Sequence, residues 1–340
     1  MKQDSVKRLY DIDLMRSIVI VMLIIMHCMT MFSGTNPSWP LPEGLHAIVV
    51  YSWIQKLTYA FLLEAFTFMS GYVYYFGLTK HNGKQTLKDL VVSKSKRLIV
   101  PSILFSIIFA ILFNPSLFGQ LRVFYDVLIG IGHLWYLPTL FVCFMISHVL
   151  VRVNINEKLV FFILLLIAML SFIIPNYARI SQALYFEFFF YTGMLAKKHS
   201  FKIKSKLHAA LLLVVVIPVL LVIKDLFHQD SPSFIQIMIC NALQMSCGFI
   251  GTIALCTICH YVSQEISPQM QLFFYHFSTL SMGIYIFQEF IIRIIYYKTQ
   301  LPQYLGSVLL PWITIIITLI ASYMLAYFAH NHKVGKILIG

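Results

Sequence analysis

The chain of 340 residues is 59% hydrophobic and only 11% charged, with a mean hydropathy of +0.82. A soluble domain of that length needs far more charge to cover its surface, so composition excludes a water-soluble fold and points to a polytopic membrane protein. The net charge of +12 would favour nucleic-acid binding in a soluble protein. With basic residues gathered in short loops, it follows instead from the positive-inside rule and implies no nucleic-acid partner.

Ten apolar windows are expected to cross the bilayer as helices: 14–33, 53–76, 98–117, 133–151, 159–175, 184–196, 207–223, 234–261, 272–297 and 305–328. The first follows a basic N-terminus, so a cleaved signal peptide is the competing reading. Its apolar run continues for about twenty residues and ends in Met-His-Cys-Met-Thr-Met-Phe without a small-residue cleavage site, which predicts a retained span. The second window contains Lys56 and Glu64, and the short sixth contains Glu187. The eighth carries Cys-Thr-Ile-Cys-His (256–260), a pattern that can attach haem covalently. It lies inside an apolar helix, and all six cysteines sit in apolar segments, where a free thiol behaves as a small hydrophobe. These cysteines are expected to pack, without disulfides or haem. No metal-ligand spacing, glycine-rich phosphate loop or Gly-x-Ser-x-Gly turn occurs.

With the N-terminus inside, cytoplasmic segments hold eighteen Lys and Arg, and external loops hold four: Arg122, Arg179, Lys224 and Lys298. That bias places both termini in the cytoplasm. No internal repeat is visible, and loops of at most about twenty residues cannot fold alone. The expectation is therefore an all-α bundle of about ten transmembrane helices forming one domain, 1–340.

Two costly residues, Arg16 and His27, lie in the first window. Eleven residues at about 100° each come within roughly 20° of three full turns, so both share one helix face, about 16 Å apart along the axis. Polar residues at such depth face the protein interior or a water-filled cavity. Each also has an ordinary explanation. Arg16 can snorkel to headgroups, and His27 can bond a neighbouring helix.

Arg16, ten residues, then His27 resembles the signature of the membrane-bound acyltransferase-3 family, and "DIDLMRSIVIVMLIIMH" is similar to its opening helix. In order along the chain, "FTFMSGYVYYFG" (66–77), "SKSKRLIVPSIL" (93–104), "GHLWYLPTLF" (132–141) and "FEFFFYTGMLA" (186–196) resemble further segments of that family. Its frequent late His, in Tyr-Leu-x-His, is replaced here by Gln288 in "GIYIFQEF", so that role would be absent or taken by Gln288 or Glu289.

The resemblance implies a multi-pass protein of a bacterial inner or plasma membrane. It implies transfer of an acyl group, usually acetyl, from cytoplasmic acyl-coenzyme A to a hydroxyl of a surface or lipid-linked carbohydrate. The donor is a substrate, and no permanently bound cofactor is implied. A hydroxyl needs a general base, and imidazole, with an ordinary pKa of about 6.5, suits that task. His27 would act as base or carry the acyl group as acyl-imidazole. Arg16 would hold anionic parts of the donor, with Lys94, Lys96 and Arg97 attracting its nucleotide phosphates. Among these three, ordinary positive-inside charge is the competing explanation. Glu64 is the favoured orienting partner of His27, ahead of Glu187, Asp13 and Tyr72. His133, Trp135 and Tyr72 would line the acceptor cavity. A transporter or flippase for a glycan or small solute is the alternative, although no repeated half or matching pair of broken helices supports it.

Overall fold

The computed structural model describes residues 8–34, 36–80, 85–153, 155–201, 203–227 and 232–339. Lys2, Lys7, Lys84 and Lys202, four of the eighteen cations counted above, lie outside the described residues. All regular structure described is helical. In chain order the helices are α1 (Tyr10–Thr30), α2 (Val49–Tyr59), α3 (Leu62–Lys80), α4 (Leu87–Lys94), α5 (Val100–Phe113), α6 (Arg122–Ile129), α7 (Tyr136–Leu150), α8 (Glu157–Leu170), α9 (Ile180–His199), α10 (Lys206–Leu211), α11 (Ile217–Phe227), α12 (Phe234–Glu265), α13 (Pro268–Thr279), α14 (Ser281–Lys298), α15 (Leu301–Asn331) and α16 (Lys333–Leu338). Turns of π-helix at Ser95–Ile99 and Leu212–Val216 join α4 to α5 and α10 to α11, and a 3-10 turn, Gly132–Trp135, leads into α7.

Among the described residues, six helices are long and apolar enough to cross a membrane: Tyr10–Ser33, Leu87–Phe113, Gly132–Leu150, Lys206–Phe227, Phe234–Glu265 and Leu301–Asn331. A seventh results if α13 and α14, bent by 62°, count as one span. The bend falls where Ser278 and Thr279 turn their hydroxyls back onto Tyr275 and His276 carbonyls, a competition that weakens the helical ladder. The other expected windows are helical but do not reach that threshold. Window 53–76 is split between α2 and α3, and the carbonyl of Ala60 at the break accepts from Gln244 Nε2 at 3.1 Å. Helix α8 has 14 residues, and α9 carries Glu187, Lys197 and Lys198.

Burial sets the radial order. The α1 span is 67% buried and packs against α2, α3, α12, α13, α14 and α15, whereas Lys206–Phe227 is 11% buried. An apolar helix buried all round is interior, so α1 forms the axis around which the bundle is built. Helices α3 and α9 cross each other closely, with Gly71 against the Phe190 carbonyl and Gly193 against that of Phe68. In α12, Cys256 and Cys259 are free thiols, and His260 Nδ1 lies 3.4 Å from Asp11 Oδ2. Opposite that end, segment 36–48 folds over α14 and α15. His46 N–H donates to Ser307 Oγ at 2.9 Å, and Tyr297 OH donates to the Pro40 carbonyl at 3.1 Å.

Candidate active site

Helix α1 carries Arg16 and His27 into two separate hollows. Arg16 borders a chamber of about 620 Å³ whose rim holds Lys94, Arg97 and Gln85 and whose depth is apolar, with Phe66, Met69 and Leu140. His27 borders a cavity of about 390 Å³ toward the other end, with Trp39, His133, Trp135, Glu289 and Arg293. Tyr136 and Tyr285 belong to the walls of both. Two tyrosines, one from α7 and one from α14, therefore stand between the hollows and face both.

Helix α14 supplies most of the chemistry around His27. Tyr285, Gln288, Glu289, Ile292 and Tyr296 are buried and recur every three or four residues, so one face of α14 is turned inward. His27 Nδ1 lies 2.9 Å from Gln288 Oε1. A carboxamide oxygen only accepts, so with Gln288 in this orientation Nδ1 carries the proton and Nε2 keeps its lone pair. Nε2 is 3.9 Å from Glu289 Oε2. The imidazole stacks on Trp39, with centroids 6.0 Å apart and planes inclined by 20°.

Glu289 is buried and faces a basic side chain at each oxygen. Arg293 Nε, one turn later, donates to Oε1 at 2.8 Å. His133 Nδ1 approaches Oε2 to 3.0 Å, an ion-pair distance off the hydrogen-bond line. The other nitrogen of His133 donates to the Ile286 carbonyl at 3.0 Å, and Tyr285 OH donates to the His133 carbonyl. The turn that presents His133 depends on Gly130 and Gly132, at φ of 84° and 59°, values that L side chains adopt rarely. The arrangement is a basic imidazole nitrogen beside a carboxylate, in a cavity that adjoins a second one lined by cations.

The sequence expectations divide accordingly. Arg16, Lys94 and Arg97 share the larger chamber, and Arg16 makes no hydrogen bond or ion pair among the described residues. Lys94 Nζ lies 3.8 Å over the Phe144 ring. Lys96 is exposed and does not border the chamber. His133 and Trp135 line the His27 cavity.

Two expectations need correction. Glu64 does not orient His27. Its Oε1 accepts from Tyr185 OH at 2.9 Å and Gln244 Nε2 at 3.3 Å, bonds that settle a buried carboxyl between α9 and α12. Tyr72 borders neither hollow, and its ring packs against Phe68 and beneath Lys197. The remaining candidate partners are engaged elsewhere too: Glu187 accepts from Ser147 at 2.6 Å, and Asp13 from Ser278 at 2.7 Å. The partner is Gln288, with Glu289 beside it. Sequence reasoning missed Arg293 and Trp39. The Glu289/Arg293 pair four apart in an apolar helix was a usable signal, whereas nothing local marks Trp39. Glu64→Gln, which preserves the amide-sized shape, is expected to leave turnover roughly unchanged. A loss of about a hundredfold, the scale of a lost acid–base group, would restore Glu64 to the chemistry.

The family model described as an acyltransferase domain matches residues 9–329. No curated protein and no solved structure matches. A match over nearly the whole chain, joined to the helices just described, settles the assignment: this chain belongs to the acyltransferase-3 family and is a membrane acyltransferase.

Proposed function

We propose that the protein moves an acyl group, acetyl in the simplest case, from cytoplasmic acyl-coenzyme A to a hydroxyl of a surface or lipid-linked carbohydrate. The observation that carries this reading is that the Arg16 chamber and the His27 cavity lie on either side of the same two residues, Tyr136 and Tyr285. A slender donor arm anchored among cations can reach those tyrosines from one side, and an alcohol can reach them from the other.

In the reaction, His27 Nε2 takes the proton of the acceptor hydroxyl as its oxygen attacks the thioester carbonyl carbon. The carbon–sulfur bond then breaks, the thiolate takes the proton back from His27, and coenzyme A leaves as the thiol. Gln288 keeps the tautomer. Glu289 stands close enough to favour the transient imidazolium, and Arg293 and His133 keep that carboxylate in place. Arg16, whose guanidinium makes no hydrogen bond or ion pair among the described residues, grips donor phosphate or amide oxygens in paired hydrogen bonds. Ten crossings, with both termini in the cytoplasm of a bacterial cell, complete the proposal. The charge bias supports that orientation, as does the gathering of Arg16, Arg97 and His330 around one small hollow.

The test is purified protein in lipid vesicles supplied with acetyl-coenzyme A and an oligosaccharide. Release of coenzyme A thiol together with ester on the sugar is the expected result. Movement of glycan across the membrane without ester formation would make the protein a carrier. In the same assay, Arg16→Lys keeps the charge but loses the fork, so KM for the donor should rise about tenfold, the cost of one charge-assisted bond. An unchanged KM would remove Arg16 from donor binding.

A further inference from the structure

Beside the His27 cavity lies another hollow of about 480 Å³, which the reaction above does not use. The two share Ser38, Gly132 and Arg293, so a chain-like acceptor with one hydroxyl at His27 continues into it. Phe109 and Phe113, with ring centroids 4.9 Å apart, and Tyr297 give it apolar surface of the kind sugar faces cover. Its charged lining is Arg293 and Lys298, and among the described residues no carboxylate borders it.

Both cations have capacity to spare. Arg293 uses Nε on Glu289 and Nη1 on the Ser38 carbonyl at 3.3 Å, while Nη2 makes no hydrogen bond among the described residues. Lys298 is exposed and makes no ion pair among them. Lys298 also suits the last turn of α14 through the helix dipole, and Arg293, over a turn earlier, pairs with Glu289 through Nε while its side chain also borders the hollow. This end of the molecule is the one expected to be poor in Lys and Arg. Two cations around one hollow are therefore a local concentration against the trend.

We infer that this hollow holds an anionic group of the acceptor, a phosphodiester or a uronate carboxylate, next to the sugar whose hydroxyl is acylated. That the acceptor is a carbohydrate rests on the acyl-transfer reading; the charge preference rests on the hollow alone.

The experiment measures binding of three oligosaccharides of equal length, one neutral, one bearing uronates and one linked by phosphodiesters, to the full-length protein in nanodiscs. The acidic ligands should bind about fivefold more tightly than the neutral one, the scale of one exposed ion pair. High salt should shrink that advantage. Lys298→Gln should narrow it, and Lys298→Glu should abolish or invert it; both change an exposed side chain. An advantage confined to one acidic ligand identifies the anion. Equal binding of acidic and neutral ligands, or an advantage untouched by both substitutions, overturns the inference. Acyl transfer is measured in parallel. Charge-dependent binding without transfer would sink only the transferase reading, and transfer without charge preference would sink only the anion site.

Discussion

Replacing His27 by alanine is expected to lower the rate of acyl transfer by about two to four orders of magnitude at saturating donor and acceptor, the range assigned to a lost general base. The expectation follows from the tautomer. With Nδ1–H committed to Gln288, the nitrogen left to the cavity is the one with a lone pair, and among the described residues the other imidazole there is turned to Glu289. His133 uses Nε2 on a backbone carbonyl and turns Nδ1 to Glu289. Glu289 is itself occupied by Arg293. His27→Gln is the sharper variant, because it can still meet Gln288 while offering no base, so its melting temperature should stay nearer the parent's than that of His27→Ala. The measurement is initial rates of thiol release and ester formation, with thermal melting as the control for folding. Without acceptor, a burst of one thiol per protein in the parent and none in His27→Gln would assign an acyl-imidazole intermediate. Absence of any burst would favour direct transfer. Either variant working within about tenfold of the parent would exclude His27 as the base, since an essential base contributes more than that.

The reach of sequence reasoning follows from what is local. Arg16 and His27 were readable together because one helix of fixed period decides their relative direction, and both do border internal hollows. Gln288 lies 261 residues from His27, and nothing local announces that α14 will lay that carboxamide on that imidazole. Glu64 drew suspicion rightly as a carboxyl in an apolar helix, but its cost is met by a phenol and an amide, which are chemically common and leave no charge pattern to follow. Hydropathy windows also average over breaks. Neither the Ala60 gap nor the bend between α13 and α14 contains proline or glycine, because side chains hold both places. Trp39 sits in a segment that reads as an ordinary loop, and only tertiary folding stacks it on His27.

Gly71→Ala and Gly193→Ala should each destabilise the protein by about 3 kcal/mol or more, at or above the usual range for overpacking. A Cβ on Gly71 would lie 1.9 Å from the Phe190 carbonyl oxygen, and one on Gly193 would lie 2.0 Å from that of Phe68. Backbone in the middle of two helices cannot swing aside as a side-chain tip can, so relief requires α3 and α9 to separate. Small residues that let helix backbones touch are a main source of association in lipid, where burying apolar surface between helices brings little gain. Separation would also open the larger chamber, because Phe66, Met69, Val73 and Tyr74 of α3 form one of its walls. Activity should therefore fall with stability, through a higher KM for the donor before kcat is lost. Gly77→Ala is the control for stability on the same helix; Gly77 borders the chamber too, so only its melting is compared. Nothing lies within 4 Å of its added methyl, so it should leave stability unchanged or raise it by up to about 1 kcal/mol. Melting curves in detergent for the three variants decide the matter. If Gly71→Ala melts with the parent, the backbones of α3 and α9 do not touch there, and the wall of the donor chamber is set by something other than this crossing.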